Sequence, residues 1–356
     1  MSYFTRWTAL GIGLTLIIAL VVLKFFWVEP PSLELQAGTY LVLEVDSKYV
    51  KNQKLDQIRD DIRRALREAG IGFRGLSVKD DAVEAQVRDT ELLPTALAKL
   101  RDLPQPLGGP KGQRSLEVAD AGEGLIRLSV AQAATAEHLD RIIEQSIEIV
   151  EKRINELGTV TPIIQRQGTD RILVQLPGLQ DPIQVMRLLG SAGKMEFRMV
   201  DDSVSPDQAQ QGMLPPDSEL LLGATPRTPP AVVKKQVLVP GDDVIDAQLG
   251  FDSRNNEPVV NFKFSTSGAR KFARATTENV GNLFAIVLDG KVISAPRIRE
   301  PITGGQGQIS GNFTAESASD LAILLRAGTL PAPLKVVEQR TVGPGQWNRS
   351  KPSHQD

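Results

Sequence analysis

Cysteine is absent from the 356 residues and histidine occurs only twice, as His138 and His354. The first absence excludes disulfide staples, thiol nucleophiles and thiolate metal sites, and it suits an oxidising compartment in which stray thiols are a hazard. The second removes most acid-base chemistry. His138 falls in a helical stretch and His354 in a hydrophilic tail, so neither is placed as a general base, and a Ser or Thr nucleophile has no histidine partner. No Gly-x-Ser-x-Gly elbow occurs either. Excess charge is also missing: 41 Lys and Arg face 43 Asp and Glu, for a net charge of -2. Without a long basic run there is no electrostatic footprint for nucleic acid.

The remaining polar clusters read as structure rather than chemistry. Asp60-Asp61, Asp80-Asp81 and Asp242-Asp243 lack carboxylate-metal spacing, and adjacent side chains diverge on a helix or strand. Asp252-Ser253-Arg254-Asn255-Asn256-Glu257 carries enough oxygen for calcium, but Asx turns between strands explain it with fewer assumptions. Gly304-Gly305-Gln306-Gly307 is not followed by the Gly-Lys-Ser or Gly-Lys-Thr that a phosphate loop needs, and Gln308 to Ser310 reads as strand. The expectation is therefore a protein that is not an enzyme, with no catalytic, cofactor-binding or metal-binding residue and no cofactor.

One long hydrophobic run is present. Trp7 to Val28 supplies about 22 residues, enough at 1.5 Å each to cross a ~30 Å hydrocarbon core. Only Lys24 interrupts it, close enough to the end to snorkel, while Trp7, Phe25, Phe26 and Trp27 anchor both edges. Phe26-Trp27-Val28-Glu29-Pro30-Pro31 offers no small-x-small cleavage site, so a membrane helix is expected rather than a signal peptide. Arg6 before the span and Glu29 after it place residues 1–6 in the cytoplasm and the body outside.

Beyond Pro30-Pro31 the length suggests two or three domains. A strand at 40–45 precedes a helix at 53–69 with Leu55, Ile58, Ile62, Ala65 and Leu66 on one face. Strands at 73–78 and 83–87, a helix at 91–103 and a closing strand near 114–118 complete a β-α-β-β-α-β pattern. A second copy opens at 125–130, runs through a long helix with Leu139, Ile142, Ile143, Ile149, Val150 and Ile154, and continues with strands at 163–167 and 171–176. A short helix opened by Asp181-Pro182 follows, then an alternating strand at 194–200.

Residues 201–230 are polar and rich in Pro, Gly and Ser, and read as a mobile surface excursion. Strands at 232–239, 259–264, 284–288 and 291–294 and helices at 267–279 and 315–327 come next, with Asp289-Gly290 as a tight hairpin. A last strand at 334–342 is free to return to the earlier domain. The region between about 194 and 328 is then an insertion on two connections, which permits hinging at 190–193 and 328–331.

Several strings acquire meaning together: Leu33 to Asp46 (Leu-Glu-Leu-Gln-Ala-Gly-Thr-Tyr-Leu-Val-Leu-Glu-Val-Asp), Ile163 to Gly168, Arg171 to Gly178, Asn279-Val280-Gly281, Ala285 to Gly290, Ile302 to Gly305, Leu324 to Leu334 and Glu338 to Pro344. In this order and spacing the chain resembles the SecD family from about Leu33 to Pro344. The resemblance implies an α+β body: a ferredoxin-like base near the membrane with a head inserted into it. Its parts would be 7–28 as transmembrane helix, 32–120 as a first ferredoxin-like unit, 121–193 plus 329–343 as base, 194–328 as head and 344–356 as a polar disordered tail.

The resemblance also implies an accessory role in Sec protein translocation at the bacterial inner membrane, with the body in the periplasm binding unfolded preprotein. Implied partners are SecF, the SecY, SecE and SecG channel, YajC and membrane lipid, and no nucleic acid. Two departures stand out. The family's Gly-Leu-Asp-Leu-x-Gly-Gly opening has Ser32, Glu34 and Ala37 at the first Gly, the Asp and the next-to-last Gly, and an alanine is strained where a glycine used φ > 0. After Pro344 the family's further membrane helices, with their proton-carrying charges, have no counterpart in this sequence, so the chain alone is not expected to couple to protons. The alternative is a stand-alone, single-span envelope docking or structural module derived from SecD.

Overall fold

The computed structural model describes residues 38–103, 115–158, 161–179 and 181–342. The apolar stretch 7–28, the departures at Ser32, Glu34 and Ala37, and the tail 344–356 lie outside the described residues. Among the described residues no helix is long and apolar enough to cross a membrane.

β1 (Gly38–Val45) runs straight into α1 (Ser47–Glu68). Asp46 caps the helix by accepting from Tyr49 N at 2.9 Å, and its carboxylate also accepts from Lys335 Nζ at 2.6 Å. The buried face of α1 is Val50, Leu55, Ile58, Ile62 and Leu66, the helical spacing seen in the sequence. Gly70, at φ +67°, then turns the chain in a left-handed conformation that a side chain disfavours. β2 (Phe73–Lys79), β3 (Ala82–Val87), α2 (Leu93–Arg101), β4 (Leu116–Asp120) and β5 (Leu125–Val130) follow. The expected helix at 91–103 begins as a 3-10 turn, Thr90–Leu92, and becomes α-helical only from Leu93. After it come α3 (Gln132–Asn155), β6 (Ile163–Gln167), β7 (Arg171–Pro177) and α4 (Ile183–Gly190).

Strand pairing corrects the grouping expected from sequence. β1 was grouped with β2, β3 and β4, but it lies antiparallel between β7 and the final strand β16 (Leu334–Val342) in a sheet of order β16-β1-β7-β6. β5, expected to open the second unit, sits instead between β3 and β4 in the order β2-β3-β5-β4. The two units have exchanged first strands. The cores follow the exchange: Leu41, Leu43 and Val45 pack with Ile142, Ile143, Val150 and Ile154 of α3, whereas Ile126 and Leu128 pack under Leu55, Ile58, Ile62 and Leu66 of α1.

Between α4 and β16 the chain builds an inserted lobe from β8 (Met195–Val200), α5 (Pro206–Gln210), β9 (Ser218–Leu221), β10 (Ala231–Pro240), β11 (Val244–Phe251), β12 (Pro258–Phe264), α6 (Thr266–Glu278), β13 (Phe284–Leu288), β14 (Lys291–Ser294), β15 (Gln306–Ile309) and α7 (Ala315–Ala327). A five-stranded sheet, β14-β13-β8-β10-β9, packs through one face on the three-stranded sheet β11-β12-β15 and on α6 and α7. Period-two alternation decides which side chain goes where. Met195, Phe197, Phe284 and Ile286 enter this core, while Ala285 and Val287 point to the opposite face. Phe197 sits 5.4–5.8 Å from the rings of Phe262, Phe264, Phe272 and Phe284, and each such ring taken out of water contributes about 1.5–3 kcal/mol.

The segment 201–230 is ordered, contrary to the mobile excursion expected from its composition. Ser205 opens α5 with a reciprocal capping box to Gln208, and β9 pairs with β10 from Ala231↔Leu221 to Lys234↔Ser218. The chain then continues to the far edge of the same sheet. There Gly223 forms a parallel bridge with Val292 of β14, so the five-stranded sheet closes upon itself.

Candidate functional site

A groove of about 680 Å³ opens where the 201–230 segment covers the second face of the five-stranded sheet. Val200, Val232, Leu283, Val292 and Ala295 supply apolar lining, and Ser203, Gln208, Arg227 and Asn312 supply hydrogen-bonding groups. Beneath it lie Val233, Ala285 and Val287, buried but small.

Asp201 and Asp202 are the acidic residues lining this groove, and the Asp201 carboxylate is fully engaged. Lys234 Nζ lies 2.8 Å away, Ser203 Oγ donates at 2.6 Å, and Ser218 Oγ also donates to it. Lys234 first, then Ser203 and Ser218, hold the carboxyl well below the usual carboxylate range. Asp201 thus ties the start of the segment, its own strand β9 and the neighbouring strand β10 together.

The second feature is the junction through which the lobe is inserted. Arg153, in the last turn of α3, is fully buried and donates to Leu188 O (2.6 Å), Ser191 O (2.5 Å), Ala192 O (2.8 Å) and Gly328 O (3.0 Å). One guanidinium therefore gathers both connections of the lobe. Burial pushes it down to about 10, opposed by the nearby Asp289 carboxylate, and it remains a cation at neutral pH. From the lobe side Asp289 accepts from Ser191 Oγ at 2.6 Å, Gly193 N at 3.2 Å and Lys194 N at 2.8 Å. The first connection is clasped by its carbonyls on one side and its amides on the other. Flanking ion pairs join Arg187 of α4 to Glu316 and Asp320 of α7, and Arg326 to Glu156 at 2.6 Å.

The residues weighed in the sequence are scattered. His138 lies on α3 near Lys54 and Arg141, where burial first and those cations second push it down. Asp60 and Asp61 pair with arginines of their own helix. Asp80 and Asp81 form the β2–β3 turn at φ +44° and +63°. Asp242 accepts from Thr329 Oγ1 at 2.8 Å and Asp243 from Lys271 Nζ at 2.7 Å. Asp252 makes an Asx turn to Arg254 N at 2.8 Å, and Gly305 O accepts from Phe264 N at 2.9 Å. Among the described residues no group of three or more His, Cys, Asp or Glu side chains is gathered for a metal ion. His354 lies outside the described residues.

Sequence reasoning misses Arg153 and β11. Arg153 has the signature of any basic residue in a helix's last turn, and only the fold shows it to be interior. β11 carried a usable signal, the alternation of Ile245, Ala247, Leu249 and Phe251, but a register shift between Val244 and Asp246 and the exposure of Ile245 (58%) and Phe251 (55%) leave it an edge strand of half-buried character.

The described residues thus define an α+β protein with a lobe inserted between α4 and β16 and a largely apolar groove on that lobe. Family models place it further: residues 218–332 match the SecDF P1 head subdomain and residues 143–202 the N-terminal part of the SecDF P1 domain. The protein translocase subunit SecD of Rickettsia bellii is 39% identical over 313 residues, 88% of this chain and 58% of that protein. That of Acetobacter pasteurianus is 42% identical over 316 residues, 88% of this chain and 59% of that protein. A crystal structure of SecDF in a super-membrane-facing form matches with a TM-score of 0.50 and 27% identity, covering 94% of this chain and 35% of that one. The chain is a SecD-type protein. It spans about three-fifths of the length of the curated relatives it matches.

Proposed function

We propose that the chain serves protein translocation, its inserted lobe holding unfolded preprotein segments in the groove beside Asp201. The reading is supported by relatives named as protein translocase subunits and by a groove whose lining is apolar yet edged with backbone and polar groups. Such a site binds many sequences, because strand-like pairing reads the backbone and shallow apolar walls accept most side chains. On the same reading residues 7–28 anchor the chain in the inner membrane, the described body lies in the periplasm, and SecF, the SecY, SecE and SecG channel and YajC are its partners. The two four-stranded sheets would form ferredoxin-like layers with exchanged first strands, and 194–328 would form the head.

The observation that carries the reading is the groove itself. A photo-crosslinker placed at Val204 or Arg227, in cells exporting a stalled preprotein, is expected to trap that preprotein. A crosslinker at Glu117, on the strand β4 of the other unit, serves as the comparison. Trapping at Glu117 alone, or at no position, overturns the assignment.

A further inference from the structure

We propose that residues 222–228 are a displaceable strap over β14, and that an extended apolar segment of client polypeptide pairs with β14 in the strap's place. This rests on reading the groove as a client site and specifies how the client is held. β14 is the terminal strand of the five-stranded order, and its outer edge is covered only by the strap's bridge. Two backbone hydrogen bonds make that cover: Val292 N to Leu222 O at 2.9 Å and Ala224 N to Val292 O at 2.8 Å. The strap is not held by burial of its own side chain, because Leu222 remains 63% exposed.

The strap also shows what can replace it. Leu222-Gly223-Ala224 is itself a short extended apolar segment seated on the β14 edge, which is the chemistry of an unfolded secretory chain. An uncovered strand edge is a liability in the empty protein, and a weakly held internal segment manages it. Gly223 lets the strap fold tightly on itself. A Cβ there would fall 1.8 Å from Thr228 O, across the turn in which Thr228 N donates to Thr225 O at 3.0 Å. The strap ends at Arg227 and Thr228, and both line the groove together with Val292. A strand that displaced the strap would therefore run directly from β14 into the groove. Client affinity is then reduced by the fraction of molecules in which the strap is closed.

Because the chain has no native cysteine, the strap can be locked cleanly. The bridge between Gly223 and Val292 puts 222 opposite 291, both exposed, so Leu222→Cys with Lys291→Cys closes it on oxidation. The probe is a short fluorescein-labelled peptide of alternating leucine and serine, followed by anisotropy with the full chain. Oxidation of the double variant is expected to lower affinity about tenfold or more and reduction to restore it, while Gly223→Ala, whose Cβ collides with Thr228 and breaks the turn that shapes the strap, raises it about tenfold. Recovery on reduction shows that the variant is folded. Peptide binding that neither the lock nor Gly223→Ala alters overturns the strap but leaves the groove as a client site. No binding by any form, the unmodified chain included, overturns both.

Discussion

The two faces of the five-stranded sheet in the inserted lobe are built from one set of strands but in opposite ways. One face carries Met195, Phe197, Phe284 and Ile286 into a core with five further elements over it. The other carries Ala285, Val287 and Val233, covered by a proline-rich segment that is tied down through Asp201 and the β9–β10 ladder and, beyond β9, through one strand bridge. Alternation along a strand forces this division, since neighbouring residues cannot share a face. The aromatic face makes the lobe a rigid body, and the aliphatic face keeps a surface whose cover costs little to move. A binding site that must accept and release many sequences belongs on the second.

The largest effect expected from this comparison is on the aromatic face. Phe197→Ala should destabilise the lobe by about 3–5 kcal/mol, because four rings lose their shared partner and the cavity cannot collapse. Val287→Ala, on the other face of the neighbouring strand β13, should cost about 1–2 kcal/mol. Urea unfolding followed by far-ultraviolet circular dichroism measures both, and equal losses would break the comparison. Arg153→Met should come next, at about 3 kcal/mol, since four buried carbonyls lose a charged donor. The loss should appear in hydrogen exchange as faster opening of 189–194 and 328–331, and Arg153→Lys should recover only part of it because an ammonium cannot reach four acceptors in a planar fork.

Much of this architecture was legible in the sequence, and what was not has a common cause. The helices α1, α3 and α7 could be read because apolar periodicity is a local signal, although α1 begins at Ser47, six residues before its apolar face announced it. The hairpin at Asp289-Gly290 was equally local, with both residues at positive φ. The exchange of β1 and β5 was not legible: each is an apolar strand that fits either sheet, and the choice is made by tertiary partners, more than a hundred residues away for β1 and about forty for the β3 side of β5. The 201–230 segment misled for a related reason. Its composition is that of a loop, but Asp201 meets Lys234 and Ser218 only in the folded lobe, and those contacts convert polar sequence into ordered structure. The inserted lobe was read from the strand at 334–342 left free to return, and the resemblance to SecD agreed with it, but neither pointed to Arg153.

Asp201 offers a third test, of intermediate size, confined to the lightly covered face. Its folded carboxyl titrates below the unfolded one, so its contribution is present above the ordinary aspartate value of about 3.9 and is lost as the pH falls from there towards the depressed folded value. Wild type should therefore lose lobe stability between about pH 4 and pH 2 more steeply than Asp201→Asn, which lacks the titration. Near pH 7 the Asn variant should be weaker by about 1–3 kcal/mol, because Lys234, Ser203 and Ser218 keep donors without a carboxylate. Parallel acid profiles for the two proteins would mean that Asp201 does not anchor the segment.

The smallest expected effect separates the pivot of the junction from its flanks. Arg187 bridges Glu316 and Asp320 across the two bodies, as Arg326 bridges to Glu156, but Arg187 is 46% exposed and Glu316 61%. Exposed pairs of this kind contribute about 0.2–1 kcal/mol and are screened by salt. Arg187→Ala should thus cost less than about 1 kcal/mol at low ionic strength and almost nothing at 1 M salt, whereas the Arg153→Met loss should persist because buried groups are poorly screened. If both losses fade together as salt is raised, the junction is a set of equivalent surface contacts. If only the Arg187 loss fades, the lobe turns about a fixed guanidinium, with ion pairs at its flanks that can break and reform while both connections stay gathered.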